Sequence, residues 1–599
     1  MPNPALIADQ NSSPIQAPDL FPFRGLVQRF LPMNRIRELY QRAQQPVNRS
    51  LLENVLSEMR VEYQVADADL TRIPTSGPVV VASNHPFGIL DGVIVGALLS
   101  RVREDVKIMA NFVLSGIPEL REHCIFVDPF GGEAATGRNR RGLAEAIRWL
   151  RCGGMLAVFP AGEVSHFQLP KMNVVDPEWS ATPARLACMT DAETLPLFIE
   201  GRNSVPFQAM GLLHPKLRTA WLLNEFLQQT DRNVALRIGN TISAEMLRNA
   251  GPEKEATSYL RWRTYLLGER GRAKKQIAPA LRTMLPVKAQ QPVAEAVPRA
   301  LLQKDIEQLP AQSLIDENRE FAVYLAETSA MPNLLRELGR LREVTFRAAG
   351  EGTGQRTDID RFDFHYKHLL LWSKNNQELV GAYRMGLTAE ILPAYGPDGL
   401  YTSTLFRYDK RMFKNLGPAL ELGRSFVRME YQRQYAPLLM LWKGIGRYLA
   451  THPELAVLFG AVSVSGRYNQ VSRELIVRFF QAREKQHGLA RWITPRRPFR
   501  QSWIRARDYQ SACDKIRDLD ELSAPISDVE SDGKGLPILI KQYAKLGGRI
   551  LGFNVDHKFS DVLDGLVLVD LRETDRNVLE RYMGKDGLKA FQQYHGISR

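Results

Sequence analysis

The chain has 599 residues, 44% of them apolar and 24% charged, which excludes a collagen-like or mostly disordered polymer. That length exceeds one ordinary hydrophobic core and predicts two or three domains. The net charge of +13 is shared evenly: residues 1–300 hold 35 basic against 29 acidic side chains, residues 301–599 hold 44 against 37, and no charged tail explains the excess.

A mild positive balance suits nucleic acid, anionic lipid or an acidic carrier protein without choosing among them. Cys124, Cys152, Cys188 and Cys513 lie far apart with no CxxC spacing. This argues against a disulfide scaffold or a zinc module, and for a reducing compartment. No secretory signal pattern opens the chain, and no stretch approaches the roughly 20 apolar residues that span a bilayer. The expectation is a protein that is soluble or lies on a membrane surface.

Residues 1–19, rich in Pro, Asn, Ser and Gln, read as a leader. Positions 20–40 interleave Leu20, Phe21, Phe23, Leu26, Val27, Phe30 and Ile36 with Arg24, Arg29, Arg35 and Arg37. Such a basic amphipathic segment lies in a lipid interface or packs on its own domain, with Pro32 as a break. From 78 to 201, the runs PVVVASN, CIFVDP, MLAVFP and TLPLFIEG alternate with helical stretches, the pattern of an α/β domain. A second amphipathic stretch at 216–227 either covers the core or touches lipid, and core packing is the preferred reading. Residues 286–299, with three prolines and little bulk, read as a linker. Beyond it, 301–347 reads as helical and 366–386 as paired strands. A strand at 421–429, a helix at 437–450 and a strand at AVLFGAVSVSG follow. The expected organisation is a leader with its basic segment over 1–50, an α/β domain over 51–285, a linker over 286–300 and a mixed α/β domain over 301–599.

Asn84-His85-Pro86-Phe87-Gly88-Ile89-Leu90-Asp91 follows the first run directly. An imidazole near a carboxylate at a strand end can act as a general base whose tautomer the carboxylate fixes. Gly88 permits the tight turn that brings Asp91 back to His85. Phe159-Pro160-Ala161-Gly162-Glu163-Val164-Ser165 also ends a strand, and its glycine and polar groups can hold an anionic head group or orient a thioester carbonyl. Between them lie Val127-Asp128-Pro129-Phe130-Gly131-Gly132 and Arg138, Arg140 and Arg141. A His-x5-Asp pair alone is a weak signal and usually a capped loop; three such loops after consecutive strands are less easily dismissed.

On these residues, 78–201 resembles the glycerolipid acyltransferase family. The family's Asn-His-x4-Asp block appears as Asn84, His85 and Asp91, its second block as Ile125 to Asp128, its Phe-Pro-Glu-Gly-Thr-Arg-Ser block as Phe159 to Ser165, and its Val-Pro element as Leu195-Pro196-Leu197. The resemblance implies that His85 takes a proton from an acceptor hydroxyl that attacks an acyl thioester. Asn84, Phe159, Pro160, Gly162, Glu163 and Ser165 would help bind the acceptor. The His–Asp spacing is one residue longer than the family's, Pro129 replaces an Arg, and Ala161 and Glu163-Val164 replace Glu and Thr-Arg. Without that Arg a bidentate phosphate ligand is missing, and Glu163 suits a cationic head group. This variant resembles the branch with hemolysin-like proteins and ornithine-lipid O-acyltransferases.

In the second half, Glu421-Leu422-Gly423-Arg424 puts two charges three residues apart on a predicted strand. A bulge or turn is needed to bring them to one site. Without context the pair reads as a structural ion pair at a sheet edge. Asp358, Asp360, Asp363, His365 and His368 match no strong metal template and read as a solvated acidic loop, so no metal is expected. Residues 335–465 resemble the ornithine N-acyltransferases of the GNAT superfamily, distantly similar to acyl-homoserine-lactone synthases. The matching pieces are Arg347, Asp360 to Asp363, Lys367 to Leu370, Val380 to Arg384, Glu421 to Val427 and Leu441 to Ile445.

The resemblance implies that Arg347, Asp363, Arg384, Glu421 and Arg424 line a site where a 3-hydroxyacyl group passes from acyl carrier protein to an α-amino group. Glu421 would orient or deprotonate the amine, and Arg384 and Arg424 would bind carboxylate or phosphopantetheine. The GNAT acetyl-CoA phosphate loop is absent, Gln432 to Pro437 standing in its place, which is compatible with a carrier-protein donor. Residues 481–510 gather Arg483, Lys485, Arg491, Arg496, Arg497, Arg500, Arg505 and Arg507 with Trp492, Phe499 and Trp503. They suit carrier docking; no nucleic-acid module accompanies them.

The resulting expectation is a bifunctional ornithine-lipid synthase. Its second half would N-acylate ornithine, and its first half would O-acylate the lyso-ornithine lipid. Acyl carrier protein thioesters would serve as co-substrates with no bound cofactor, in peripheral contact with an anionic membrane at the cytoplasmic face of the inner membrane. Two other readings stand beside it: a lysophospholipid acyltransferase with a carrier-binding GNAT-like half, and a non-catalytic hemolysin-like membrane protein.

Overall fold

The computed structural model describes residues 32–44, 50–128, 133–169, 172–213, 215–271, 290–484, 488–500, 513–559 and 561–597. The leader, the start of the basic segment, Pro129 to Gly132, Lys485, Trp503, Arg505 and Arg507 lie outside the described residues. Two units emerge, one of Met1–Gly271 with Ser527–Gly533, the other of Arg272–Ile526 with Lys534–Arg599. The helix Met33–Ala43 opens the described part of the first, starting directly after Pro32.

The first unit contains β1 (Val61–Gln64), β2 (Val79–Ser83), β3 (Val106–Asn111), β4 (Cys124–Val127), β5 (Met155–Val158), β6 (His166–Gln168), β7 (Asn173–Val175), β8 (Glu193–Ile199) and β9 (Arg232–Ile238). Apart from the β6–β7 hairpin they form one sheet in the order β1-β9-β8-β2-β5-β3-β4, parallel except between β8 and β9. The four apolar runs are β2, β4, β5 and β8. Strands β3 and β9 escaped the reading because their charged residues break the run that a strand buried on both faces shows. Val79 to Ala82 are at most 1% exposed, and the helix Ile89–Ser100, apolar almost all round, is buried beside them. Because β2 and β5 run parallel, with Ala82 opposite Val158, the sheet delivers the segments after both strands to one edge. The stretch 216–227 lies in the helix Pro215–Gln228, which buries Glu225, Phe226 and Leu227.

A fully buried carboxylate anchors the distant segment Ser527–Gly533 within this unit. Asp528 accepts from Arg263 Nη2 at 2.6 Å and from the backbone and side-chain amides of Asn240 at 2.7 Å. Arg263 and Asp528 are both inaccessible, so each charge is held in low dielectric only by its partners.

The second unit contains the helix Arg299–Gln308, β10 (Leu314–Glu317), β11 (Phe321–Glu327), the helix Pro332–Ala349, β12 (Lys367–Ser373), β13 (Glu378–Leu387), β14 (Phe406–Tyr408), β15 (Ala419–Val427), the helix Tyr435–Thr451, β16 (Val457–Val464), β17 (Ile493–Pro495), β18 (Arg549–Asp556) and β19 (Val562–Asp570). The expectation of helix throughout 301–347 is corrected: β10 and β11 interrupt it. Phe321, Ala322 and Val323 are buried in succession, β-branched and aromatic bulk that suits a strand. Eight strands form a sheet in the order β10-β11-β12-β13-β15-β16-β19-β18, antiparallel except for β15 and β16. That parallel pair is in register only from Ala419–Val457 to Glu421–Phe459, although the strands run on to Val427 and Val464. The sheet is therefore open between their C-terminal ends.

Of the stretch read as a linker, residues 290–298 are held to this unit: the Gln291, Ala294 and Val297 amides donate to Gly354 O, Arg356 O and Glu337 Oε2. Among the described residues, no helix is long and apolar enough to cross a membrane.

Asp528→Ala removes the counter-charge of Arg263 and is expected to cost the first unit about 3 kcal/mol or more, measured by denaturant unfolding of the whole chain.

Candidate active sites

His85 is the second residue past Ser83, the end of β2, and Asp91 lies in the first turn of the helix Ile89–Ser100. His85 Nδ1 stands 2.9 Å from Asp91 Oδ2, and the same oxygen accepts the Phe87 and Gly88 amides at 2.9 Å. Gly88 has φ 84°, a left-handed conformation that side chains disfavour, and this returns the chain so that Asp91 meets His85. Asp91 is inaccessible; burial raises its pKa, opposed by the His85 contact and the two amides. With Nδ1 turned to the carboxylate, Nε2 is left as the basic nitrogen. The ring stacks on Phe159, with centroids 4.4 Å apart, and the His85 side chain keeps 18% of its surface.

Asp176, which the sequence reading missed, ties this loop to the Phe159–Ser165 segment. Its carboxylate accepts from the His85 amide at 3.2 Å, from Trp179 Nε1 at 2.8 Å and from the Ser165 hydroxyl. The Ser165 amide donates to His85 O at 2.8 Å. Gly162 turns at φ 64°, its amide bonded to Phe159 O, and Pro160 O accepts from Ser180. Asn84 holds the framework: its side-chain amide exchanges two hydrogen bonds with the Ile199 backbone, at 2.9 and 2.7 Å. Glu163 pairs with Arg218 at 2.5 Å, another residue the motif did not signal. The structure therefore brings His85 into contact with Asp91, Phe159 and Ser165 and puts Glu163 on the Phe159–Ser165 segment.

In the second unit the needed bulge is present. The register of β13 against β15 shifts between Ala382–Phe426 and Arg384–Gly423, and Arg424 in the extra position has φ 48°. Arg424 Nε lies 3.3 Å from Asp358, and its Nη atoms reach Asp360 at 3.5 Å and Tyr401 Oη at 3.2 Å. Arg384, fully buried, donates to Asp360 at 2.7 Å and to Asp363 at 3.2 Å, and Asp363 also accepts from the fully buried Arg342 at 2.7 Å. Burial raises the Asp363 pKa, but the two guanidiniums outweigh it and hold the carboxyl well below its usual range. The reading of this segment as a solvated loop is corrected: Asp358, Asp363 and His368 are buried, Asp363 because it neutralises the inaccessible Arg342 and Arg384, Asp358 because it pairs with Arg424, and His368 as a neutral ring beside Arg342.

Glu421 meets a different setting from a carboxylate poised over an amine. It is 1% exposed, and its oxygens accept the Tyr366 hydroxyl and the Tyr401 and Thr402 amides. Arg347 stands apart, bonded to Glu343 at 2.6 Å and to the Gln291 and Gln355 carbonyls. A cavity of about 400 Å³ is lined by Asp358, Asp360, Tyr401, Arg424, Asn554 and Asp556. One of about 630 Å³, lined by Arg473, Arg496, Arg497, Phe499 and Arg500, shares Arg496, Arg497 and Val555 with it. Among the described residues no cluster could hold a metal ion.

Residues 32–273 match the family described as "Acyltransferase", and residues 341–443 the "Acetyltransferase (GNAT) domain". The chain is 30% identical over 266 residues to a glycine N(alpha)-acyltransferase of Phocaeicola vulgatus, covering 42% of this chain and 80% of that protein. It is 28% identical over 190 residues to a lyso-glycine lipid O-acyltransferase of the same organism, covering 30% and 65%. A crystal structure of the 1-acyl-sn-glycerophosphate acyltransferase from Thermotoga maritima is 19% identical over 38% of this chain and 75% of that one, with a TM-score of 0.24.

His368 is expected to make the second unit acid-sensitive. Burial, reinforced by Arg342, lowers its pKa to about 4, so the folded chain keeps the ring neutral while the unfolded chain takes up a proton near pH 6.5. Its contribution is present above about pH 6.5 and is lost as pH falls towards 4. Urea unfolding at pH 7 and pH 4.5 should show a larger loss in the wild type than in His368→Gln.

Proposed function

Because the chain belongs to the family of the glycine N(alpha)-acyltransferases and is an enzyme that transfers acyl groups, we propose that it makes an acylated amino-acid lipid in two steps, with ornithine as the amino acid. The observation that carries this is the presence in one chain of two acyltransferase domains, one with a histidine–carboxylate pair at 2.9 Å and one with a cavity of mixed charge.

In the first step, the α-amine of ornithine attacks the carbonyl of a 3-hydroxyacyl thioester. The amide bond forms, the C–S bond breaks and the carrier thiol leaves with the proton the amine gives up. The 400 Å³ cavity suits an acceptor of both signs, with Asp360 and Asp556 for ammonium and Arg424 for carboxylate. Glu421, by fixing Tyr401 and Thr402, shapes that wall. The opening between β15 and β16 admits an extended thioester arm, and the arginines of the larger cavity suit the phosphate of phosphopantetheine on an acidic carrier protein. In the second step His85 Nε2 takes the proton of the lyso-lipid's 3-hydroxyl. The oxygen attacks a second acyl thioester, and the thiol departs with a proton returned from the imidazolium. Asp91 fixes the tautomer and stabilises the charged ring. Residence in one chain raises the concentration of the intermediate at the second step. The enzyme would work as a peripheral protein at the cytoplasmic face of the inner membrane.

Expression in a host without ornithine lipids tests both steps by lipid mass spectrometry. The wild type should yield mono- and diacylated ornithine, His85→Ala should accumulate the monoacyl form, and Glu421→Ala should lose both. A diacylated lipid on glycine alone would transfer the assignment to that amino acid, and absence of any aminolipid would sink it. Reversal of Arg496, Arg497 and Arg500 to Glu should abolish transfer from carrier-bound donors; unchanged rates would remove the carrier-docking part.

A further inference from the structure

In the first unit one ion pair lies beside the His85–Asp91 loop without serving it. Arg218 Nη2 is 2.5 Å from Glu163 Oε2; the arginine side chain is 8% exposed, the glutamate side chain 58%. Glu163 is the one carboxylate that Arg218 meets among the described residues. An ion pair with one wet partner contributes little stability, yet it keeps a guanidinium that is largely out of water.

Its position explains that arrangement. Leu222, one turn on from Arg218 in the same helix, faces Gly88: a Cβ added there would sit 2.9 Å from Leu222 Cδ1 and 3.0 Å from Val164 Cγ2. The helix face bearing Arg218 and the segment bearing Glu163 thus converge on the loop that holds His85. The neighbouring His166 adds no competing cation, since burial chiefly, with Arg218's charge as a lesser cause, lowers its pKa. A 3-hydroxyacyl amino acid places only C2, C1, N and Cα between the hydroxyl carbon and the α-carboxylate. A base acting on that hydroxyl must therefore have charge-matching groups close by.

Resting on the reading of this unit as an O-acyltransferase, we propose that Arg218 and Glu163 read the amino-acid head group of the acceptor, Arg218 binding the α-carboxylate and Glu163 the side-chain ammonium. The pair supplies a guanidinium from a helix, in place of the one missing from the Phe159–Ser165 segment, and offsets it with a carboxylate. Its near-neutral sum matches a zwitterion, whereas a phosphate monoester calls for net positive charge.

The test uses the purified full chain, an acyl thioester donor and three synthetic acceptors: 3-hydroxyacyl-ornithine, 3-hydroxyacyl-glycine and 3-hydroxyacyl-ethanolamine, which lacks the carboxylate. Arg218→Gln should raise KM about tenfold or more for the first two, the loss expected for one charge-assisted hydrogen bond, and leave the third unchanged. Glu163→Gln, an exposed change that should leave the fold intact, should raise KM for the ornithine acceptor only. Arg218→Lys, which keeps the charge but not the fork, should fall between Gln and wild type. An equal loss on all three acceptors would make the pair merely structural, and unchanged KM for the carboxylate-bearing acceptors would overturn the proposal. Wild-type turnover of none of the three would instead overturn the O-acyltransferase reading on which it rests.

Discussion

Arginine carries its charge at any pH a cell meets, so a guanidinium taken out of water needs a carboxylate beside it. The second unit is arranged around that demand. Arg342 from the helix Pro332–Ala349 and Arg384 from β13 are both inaccessible, and Asp363 lies between them. Asp360 then bridges Arg384 to Arg424, whose side chain reaches the cavity wall. One connected set of charges thus runs from a helix core to the proposed acceptor cavity. Truncating Asp363 leaves the buried Arg342 without a carboxylate beside it, which costs more than the hydrogen bond lost. The bulge at Arg424 belongs to the same logic: an unbroken strand would send Glu421 and Arg424 to opposite faces.

The first unit solves a different problem with fewer charges. Parallel β2 and β5 end side by side, so the sheet brings two sequence-distant segments together. A single buried carboxylate, Asp176, then joins them through donors from both. Asn84 does the same for β2 and β8 through the Ile199 backbone. These polar residues build the frame in which His85, stacked on Phe159, meets Asp91.

Much of this was legible in sequence because the strands β2, β4, β5 and β8 are short apolar runs followed directly by glycine and polar residues. The His85–Asp91 pair could be read from a tight spacing with a glycine inside it. The need for a bulge between Glu421 and Arg424 followed from the two-residue period of a strand. The rest depended on contacts between distant positions. Asp176 and Arg218 reach their sites from elements with no motif of their own. Strands β10 and β11 were hidden between two helices, and β9 by its flanking arginines. The burial of Asp358 and Asp363 was illegible because a string of acidic residues looks the same whether it meets water or arginine. Glu421 was assigned to the chemistry, yet its hydrogen bonds go to Tyr366 and the backbone at Tyr401 and Thr402, a partition that composition and spacing do not encode.

The return of Ser527–Gly533 to the first unit has a consequence for dissecting the two activities. The boundary suggested by the family matches, near residue 273, would cut the gene before the codon for Asp528 is reached. A polypeptide ending there would fold its sheet around Arg263 and Asn240 with no carboxylate to meet them, and any lost activity would reflect that vacancy and not a dependence on the other catalytic step. A faithful separation has to carry the short C-terminal segment along, joined to the first unit by a loop, so that the modular reading of the chain follows its charges and not its numbering.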